Sequence, residues 1–166
     1  MRSLASVTLG VAALAASVFA FGAEAELPWG PETPPFNIEV ILRDITGGSG
    51  FGHVKFRQPN DTAKIVSLET WVRDLAPNHA YRLQRAVDTT LDGNCPRVET
   101  DWLTLGKGLV PQAITTDDQG TGREDLFRDL AAAPTGKQFE INFRVIDAGS
   151  SAPVLESGCY RFTVDL

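Results

Sequence analysis

Apolar and polar residues alternate with a period of two in short runs along most of this chain, and that alternation restricts the fold more than any other feature. The clearest run sets Phe139, Ile141, Phe143 and Val145 against Gln138, Glu140, Asn142 and Arg144. Successive side chains of an extended strand point to opposite faces, so such a run buries one face and wets the other. The same pattern opposes Ile38, Val40 and Leu42 to Glu39 and Arg43, and Val54 and Phe56 to His53, Lys55 and Arg57. It opposes Val66, Leu68, Thr70 and Val72 to Ser67, Glu69, Trp71 and Arg73. Tyr81, Leu83 and Val87 begin another inward face, while Tyr160, Phe162, Val164 and Leu166 end the chain as a last strand.

Turn chemistry separates these runs. Gly47-Gly48-Ser49-Gly50, Pro59-Asn60-Asp61 and Asp117-Asp118-Gln119-Gly120 supply the residues that reverse a chain at least steric cost. Leu91 to Pro111 is less regular, with a turn at Gly93-Asn94-Cys95-Pro96 and a short strand expected within Val98 to Leu105, carrying Trp102. Leu126, Phe127 and Leu130 have helical spacing, and Ala131-Ala132-Ala133 extend it by a turn before Pro134 stops it. Seven or eight short strands with almost no helix predict an all-β fold, an antiparallel Greek-key (immunoglobulin-like) sandwich. A closed barrel produces a similar pattern. No internal repeat or long interior linker divides the chain, so residues 37–166 read as one domain.

The first residues predict export. Met1-Arg2-Ser3 is a charged start, Leu4 to Phe21 is uncharged and apolar, and Ala23-Glu24-Ala25 places small residues where a signal peptidase reads. Residues 1–25 are therefore expected to be a signal peptide cleaved after Ala25. The competing reading is a membrane anchor, disfavoured by the abundance of Ala, Gly and Ser and the lack of a basic stop-transfer cluster. Residues 26–36 form a Pro-rich arm containing Trp29 and Phe36, with Pro28, Pro31, Pro34 and Pro35 forcing an extended path. No later segment is apolar enough to span a membrane. The net charge of −6 survives cleavage, because Arg2 and Glu24 leave together. A mildly acidic surface argues against nucleic acid or an anionic membrane as partner.

Cys95 and Cys159 are the two cysteines, and an even pair in an exported chain reads as a disulfide. Cys159 has the opposite parity to the inward set of the last strand, so the bridge is expected to leave the outer face and pin the irregular middle segment there. Neither cysteine lies in a C-x-x-C arrangement or near a histidine in sequence, which disfavours metal or redox use.

The stretch Leu75-Ala76-Pro77-Asn78-His79-Ala80-Tyr81-Arg82-Leu83 resembles the corner of fibronectin-III-like and other Greek-key sandwiches. There the tyrosine hydroxyl ties back to the upstream backbone while the ring packs into the core. More loosely, that corner followed by Gly93-Asn94-Cys95 and by Gly158-Cys159 resembles the order of features in Cu,Zn-superoxide-dismutase-like sandwiches, which also staple a long loop to the last strand. Those proteins place a His-x-His after the corner aromatic. Here the stretch reads Arg82-Leu83-Gln84, and the expected mature chain has only His53 and His79. The copper and zinc ligand sets cannot be built from it, so no catalytic or metal residue carries over.

Gly47-Gly48-Ser49-Gly50-Phe51 lacks the closing glycine of a nucleophile elbow. His53 alternates with Lys55 and Arg57 on a polar strand face, and His79 lies in the corner loop, so both read as solvated histidines. Asp117, Asp118, Gln119, Thr121, Glu124 and Asp125 gather oxygen ligands around two glycines and raise the prospect of a calcium site. The twelfth position from Asp117 is however Arg128, where an EF-hand needs a bidentate Glu. A hairpin with a solvated acidic rim accounts for the same residues. Asn60-Asp61-Thr62 is a glycosylation sequon in a eukaryotic secretory pathway. Trp71 shares its parity with Ser67, Glu69 and Arg73, so it either anchors a partner or is covered by the N-terminal arm or the 91–111 segment.

Together these features predict a secreted, periplasmic or extracellular non-catalytic module. Its expected partner is an extracellular protein, surface or glycan, met through Trp71 or the Asp117, Asp118 and Asp125 region, with no cofactor required. The alternative is a small secreted hydrolase or calcium-dependent protein built on scattered carboxylates.

Overall fold

Three antiparallel strands open the fold, each on an alternating run: β1 (Asn37–Asp44), β2 (Phe51–Arg57) and β3 (Ile65–Arg73). The structure is a computed structural model that describes residues 37–59, 62–95 and 101–165. The expected signal peptide, the Pro-rich arm, the sequon at Asn60 and Val98 lie outside or partly outside those residues. Among the described residues no helix is long and apolar enough to cross a membrane.

β4 (Ala80–Asp88) and β10 (Gln138–Asp147) pair antiparallel over eight residue pairs, and β3 pairs with β9 (Gly122–Asp129) over another eight. Four two-residue strands lie between them in sequence: β5 (Leu103–Thr104), β6 (Gly106–Lys107), β7 (Val110–Pro111) and β8 (Ile114–Thr115). β11 (Pro153–Ser157) joins β10 to β1, and β12 (Tyr160–Thr163) pairs with β10. The path β5-β4-β10-β11-β1-β2-β3-β9-β6-β7 is one all-β sheet. β5 lies on β4 and β6 lies on β9, so the short middle strands nearly close this sheet into a barrel.

The sheet is mixed rather than purely antiparallel, because β6 runs parallel to β9 at Lys107 and Phe127. The helical spacing at Leu126 to Leu130 also resolves differently: residues 122–129 are strand and 131–133 a turn. Eight residue pairs with β3 outweigh a helical signal carried by three apolar residues. The strand pattern was hidden because charged residues, Glu124 and Arg128, take inward positions beside Leu126.

Inside the barrel, Val40, Leu42, Val54, Leu68, Leu83, Phe143, Val145, Leu155 and Phe162 are essentially inaccessible. Phe56 meets Phe162 and Phe143 edge-on at centroid distances of 4.7 and 6.1 Å. Burying side chains of this size stabilises a fold by about 1.5–3 kcal/mol each.

β10 is buried on both faces. Its outward Glu140, Asn142 and Arg144 are as inaccessible as its inward residues, because the middle segment covers them. Gly93 donates its N–H to both oxygens of Glu140, at 2.9 and 2.8 Å, and Arg161 donates to Oε1 at 3.0 Å. Trp102 lies under the Arg144 guanidinium, 4.3 Å from the ring centroid. The Cys95–Cys159 disulfide closes the same cover, joining residues 64 apart in sequence from the outer side of the last strand.

Candidate functional site

The corner between β3 and β4 is built as its sequence suggests. The Tyr81 hydroxyl accepts the Ala76 N–H at 3.0 Å, and the tyrosine is 4 % exposed. Onto this corner docks the acidic turn. Leu75 N–H donates to Gly120 O and Asn78 N–H to Asp117 O, while the buried Thr116 hydroxyl donates to Ala76 O at 2.7 Å. Asp117 Oδ1 accepts the N–H groups of Gln119 and Thr121, both at 2.9 Å. Its carboxylate therefore holds the turn closed in the manner of an Asx turn. Asp118 is exposed in that turn, whereas Asp125 stands on the outer face of β9 with its Oδ1 3.7 Å from Arg123 Nε. The structure thus divides the predicted acidic site between a turn and a strand face. Among the described residues no group of three or more His, Cys, Asp or Glu is arranged to hold a metal ion.

Each histidine has a carboxylate partner on another element, that of His53 on the adjacent strand and that of His79 lying 68 residues away in sequence. His79 donates through Nε2 to Asp147, whose other oxygen accepts the N–H and hydroxyl of Ser150 and the N–H of Gly149. The Ser150 N–H, followed by His79 and the Ser150 hydroxyl, holds the Asp147 carboxyl well below the usual carboxylate range. The serine in this cluster touches the aspartate and not the imidazole. A nucleophilic serine needs the histidine as its base, so the order His–Asp–Ser is a loop clasp and not a catalytic triad. His53 donates to Glu39, and Arg57 takes the other oxygen of the same carboxylate.

The most distinctive surface is the outer face of β1, β2, β3 and β9. Cross-strand register sets Glu39, Lys55, Glu69 and Asp125 in one row and Ile41, His53, Trp71 and Arg123 in the next. Charge is compensated within and between rows: Lys55 lies 3.5 Å from Glu69 in its own row, and Arg123 of the next row donates to Glu69 at 2.7 Å. At the centre, Trp71 is half-buried and meets Phe51 edge-on at 6.2 Å. The Arg73 guanidinium lies 5.0 Å from the Phe51 centroid and 5.5 Å from that of Trp71. A recess of about 300 Å³ opens beside the indole, lined by His53, Lys55, Glu69 and Arg123. Residues 101–111 lie elsewhere, on β4, β9 and the outer face of β10, so they do not cover this tryptophan.

Trp71 is the one member of this cluster that its sequence environment singles out. Phe51 has the same outward parity as His53 on β2, and that parity is all its sequence carries. The register that places Phe51 opposite Arg73 was not legible, because strand pairing is not written in one strand's sequence. No family model matches the chain, and no curated protein matches its sequence.

Proposed function

We propose that this protein is an exported, non-catalytic Greek-key β-sandwich module that binds another protein through the Phe51–Trp71–Arg73 face. The observation carrying this reading is the aromatic pair capped by a guanidinium at the centre of an otherwise charge-compensated sheet. Trp and Arg are enriched among residues that dominate binding energy, particularly where neighbours hold them in place. Here Phe51 and Arg73 fix the indole before any partner arrives, so little side-chain entropy remains to be lost on binding. The surrounding ion pairs supply a polar rim of the kind that encloses such anchors.

Export is supported by the charge–apolar–small order of residues 1–25 and by the disulfide, which persists in oxidising compartments. The resemblance to superoxide-dismutase-like sandwiches is supported by the crossing from β3 to β4 at the tyrosine corner and by the loop stapled to the last strand. The two histidines stand on separate elements, His53 on β2 and His79 just before β4, and are too few for the copper and zinc sets.

The experiment is affinity capture from the host's exported fraction with wild-type protein and with Trp71→Ala and Arg73→Ala, each checked for an unchanged thermal transition. A defined protein retained by wild type and lost at least about ten-fold by Trp71→Ala supports the reading. Equal capture by all three excludes this face. Saturable binding of a purified glycan in place of any protein transfers the face to carbohydrate recognition.

A further inference from the structure

The interior of the barrel contains a second feature, independent of the outer face. Where the short strands β5 and β6 bridge β4 and β9, each contributes only two residues, and the core behind them is incompletely filled. A cavity of about 220 Å³ opens there, walled by Phe56, Leu68, Phe143 and Phe162, with Arg85 and Arg128 also lining it. Its walls are almost entirely apolar. An apolar cavity of about 150 Å³ is already large enough for benzene.

The two arginines are the anomaly. Arg85 pairs with Phe143 in register, between Leu83 and Val87, so its side chain belongs to the inward set of β4. Arg128 pairs with Val66 and belongs to the inward set of β9. Arg85 makes no ion pair with any described residue. Among the described residues Arg128 donates only to the Gly108 carbonyl, at 3.2 Å, and no carboxylate is paired with it. Burial, and then the charge of Arg128, lower the pKa of Arg85. Two half-buried guanidiniums share a largely apolar pocket with no carboxylate among its described lining residues, so they lose hydration without gaining an opposite charge. Their planar donor arrays match a carboxylate, which accepts from both at once.

We infer that this cavity binds a small amphipathic carboxylate, such as a medium-chain fatty acid, with its head group between Arg85 and Arg128 and its apolar body among Phe56, Leu68, Phe143 and Phe162. The charge pattern selects this occupant. A neutral hydrocarbon would leave both cations unpaired, and an inorganic anion would leave the apolar walls unfilled.

The probes are octanoate, 1-octanol and inorganic phosphate, titrated into the full disulfide-bonded chain and followed by calorimetry and by the Arg85 Nε–Hε NMR signal. Octanoate should bind saturably and shift that signal. Arg85→Met should weaken octanoate about ten-fold or more while leaving 1-octanol unchanged. The same variant should raise the melting temperature of the unliganded protein, because it removes an uncompensated inward charge. Arg85→Lys and Arg128→Met provide folded alternatives should Arg85→Met not accumulate. Arg85→Lys should retain part of the octanoate affinity, and Arg128→Met should lose it as Arg85→Met does. Octanoate binding that is unchanged in the methionine variants overturns the inference. So does the absence of octanoate binding to folded wild type, the result expected if the chain's own residues fill the pocket. Phosphate competing as well as octanoate marks a simple anion site and also overturns it.

Discussion

Tyr81 shows how much a single hydroxyl does in this fold. Its ring is core, and its oxygen satisfies the Ala76 N–H in a corner that no strand ladder reaches. Tyr81→Phe keeps the ring and orphans that donor, so we expect a loss of about 1 kcal/mol, read from urea unfolding with an unchanged m-value. Acid sensitivity is set at the same scale. Asp147 is depressed by Ser150 and His79, and Asp44 by the Thr46 hydroxyl and then by the Gly48, Thr46 and Gly50 N–H groups, against an opposing desolvation. A carboxyl whose folded pKa lies below its unfolded value, about 3.9, contributes stability that is present above that value and lost as pH falls toward the folded one. The stability these two carboxyls contribute should therefore be full above about pH 5 and decline below about pH 4. Asp147→Asn should flatten that decline, measured as the melting temperature against pH.

Among the elements, the acidic turn and the middle segment matter most. Gly120 has φ of +75°, and a Cβ there would lie 2.1 Å from the Leu75 carbonyl oxygen. That carbonyl is backbone and cannot swing aside, so Gly120→Ala combines left-handed strain with a clash. The expected cost is about 2 kcal/mol or more, with the turn displaced from the corner. Denaturant midpoints, and loss of protection at the Leu75 and Asn78 amides, check this. The middle segment is held by the disulfide and by Glu140, which is 2 % exposed. Replacing both cysteines by serine should destabilise the fold by about 4 kcal/mol in the chain-entropy model. Faster amide exchange at Gly93 should accompany it, because the bridge no longer holds the loop beside Glu140.

For the whole molecule, the two proposed sites lie on opposite sides of the same sheet wall. β3 carries Trp71 outward and Leu68 inward, and β9 carries Arg123 outward and Arg128 inward. A ligand inside and a partner outside would thus share two strands. Trp71→Ala and Arg85→Met should nevertheless act separately, one on partner capture and the other on octanoate affinity. The mature exported protein should begin at Glu26 and weigh two hydrogens less than the reduced chain. Mass spectrometry of the exported fraction checks both, and a product retaining residues 1–25 would count against export by signal cleavage.

By itself the sequence determined which residues face inward on β1, β2, β3, β10 and β12, the turn at Asp117–Gly120, the tyrosine corner and the cysteine pair. These are local properties: side-chain parity, turn stereochemistry and composition act within a few residues, and the chain obeys them wherever it goes. It was less clear for β9 and for the pocket, where Tyr81-x-Leu83-x-Arg85-x-Val87 already placed an arginine among inward residues, a signal easily read as an interruption. Only the tertiary structure decided which strands are neighbours, and with them every pairing of consequence. His79 with Asp147, Glu140 with Gly93, Phe51 with Trp71 and Arg85 beside Arg128 all join separate segments. Such contacts depend on sheet order and closure, which follow from packing the whole core at once and are not encoded in the period of any one strand.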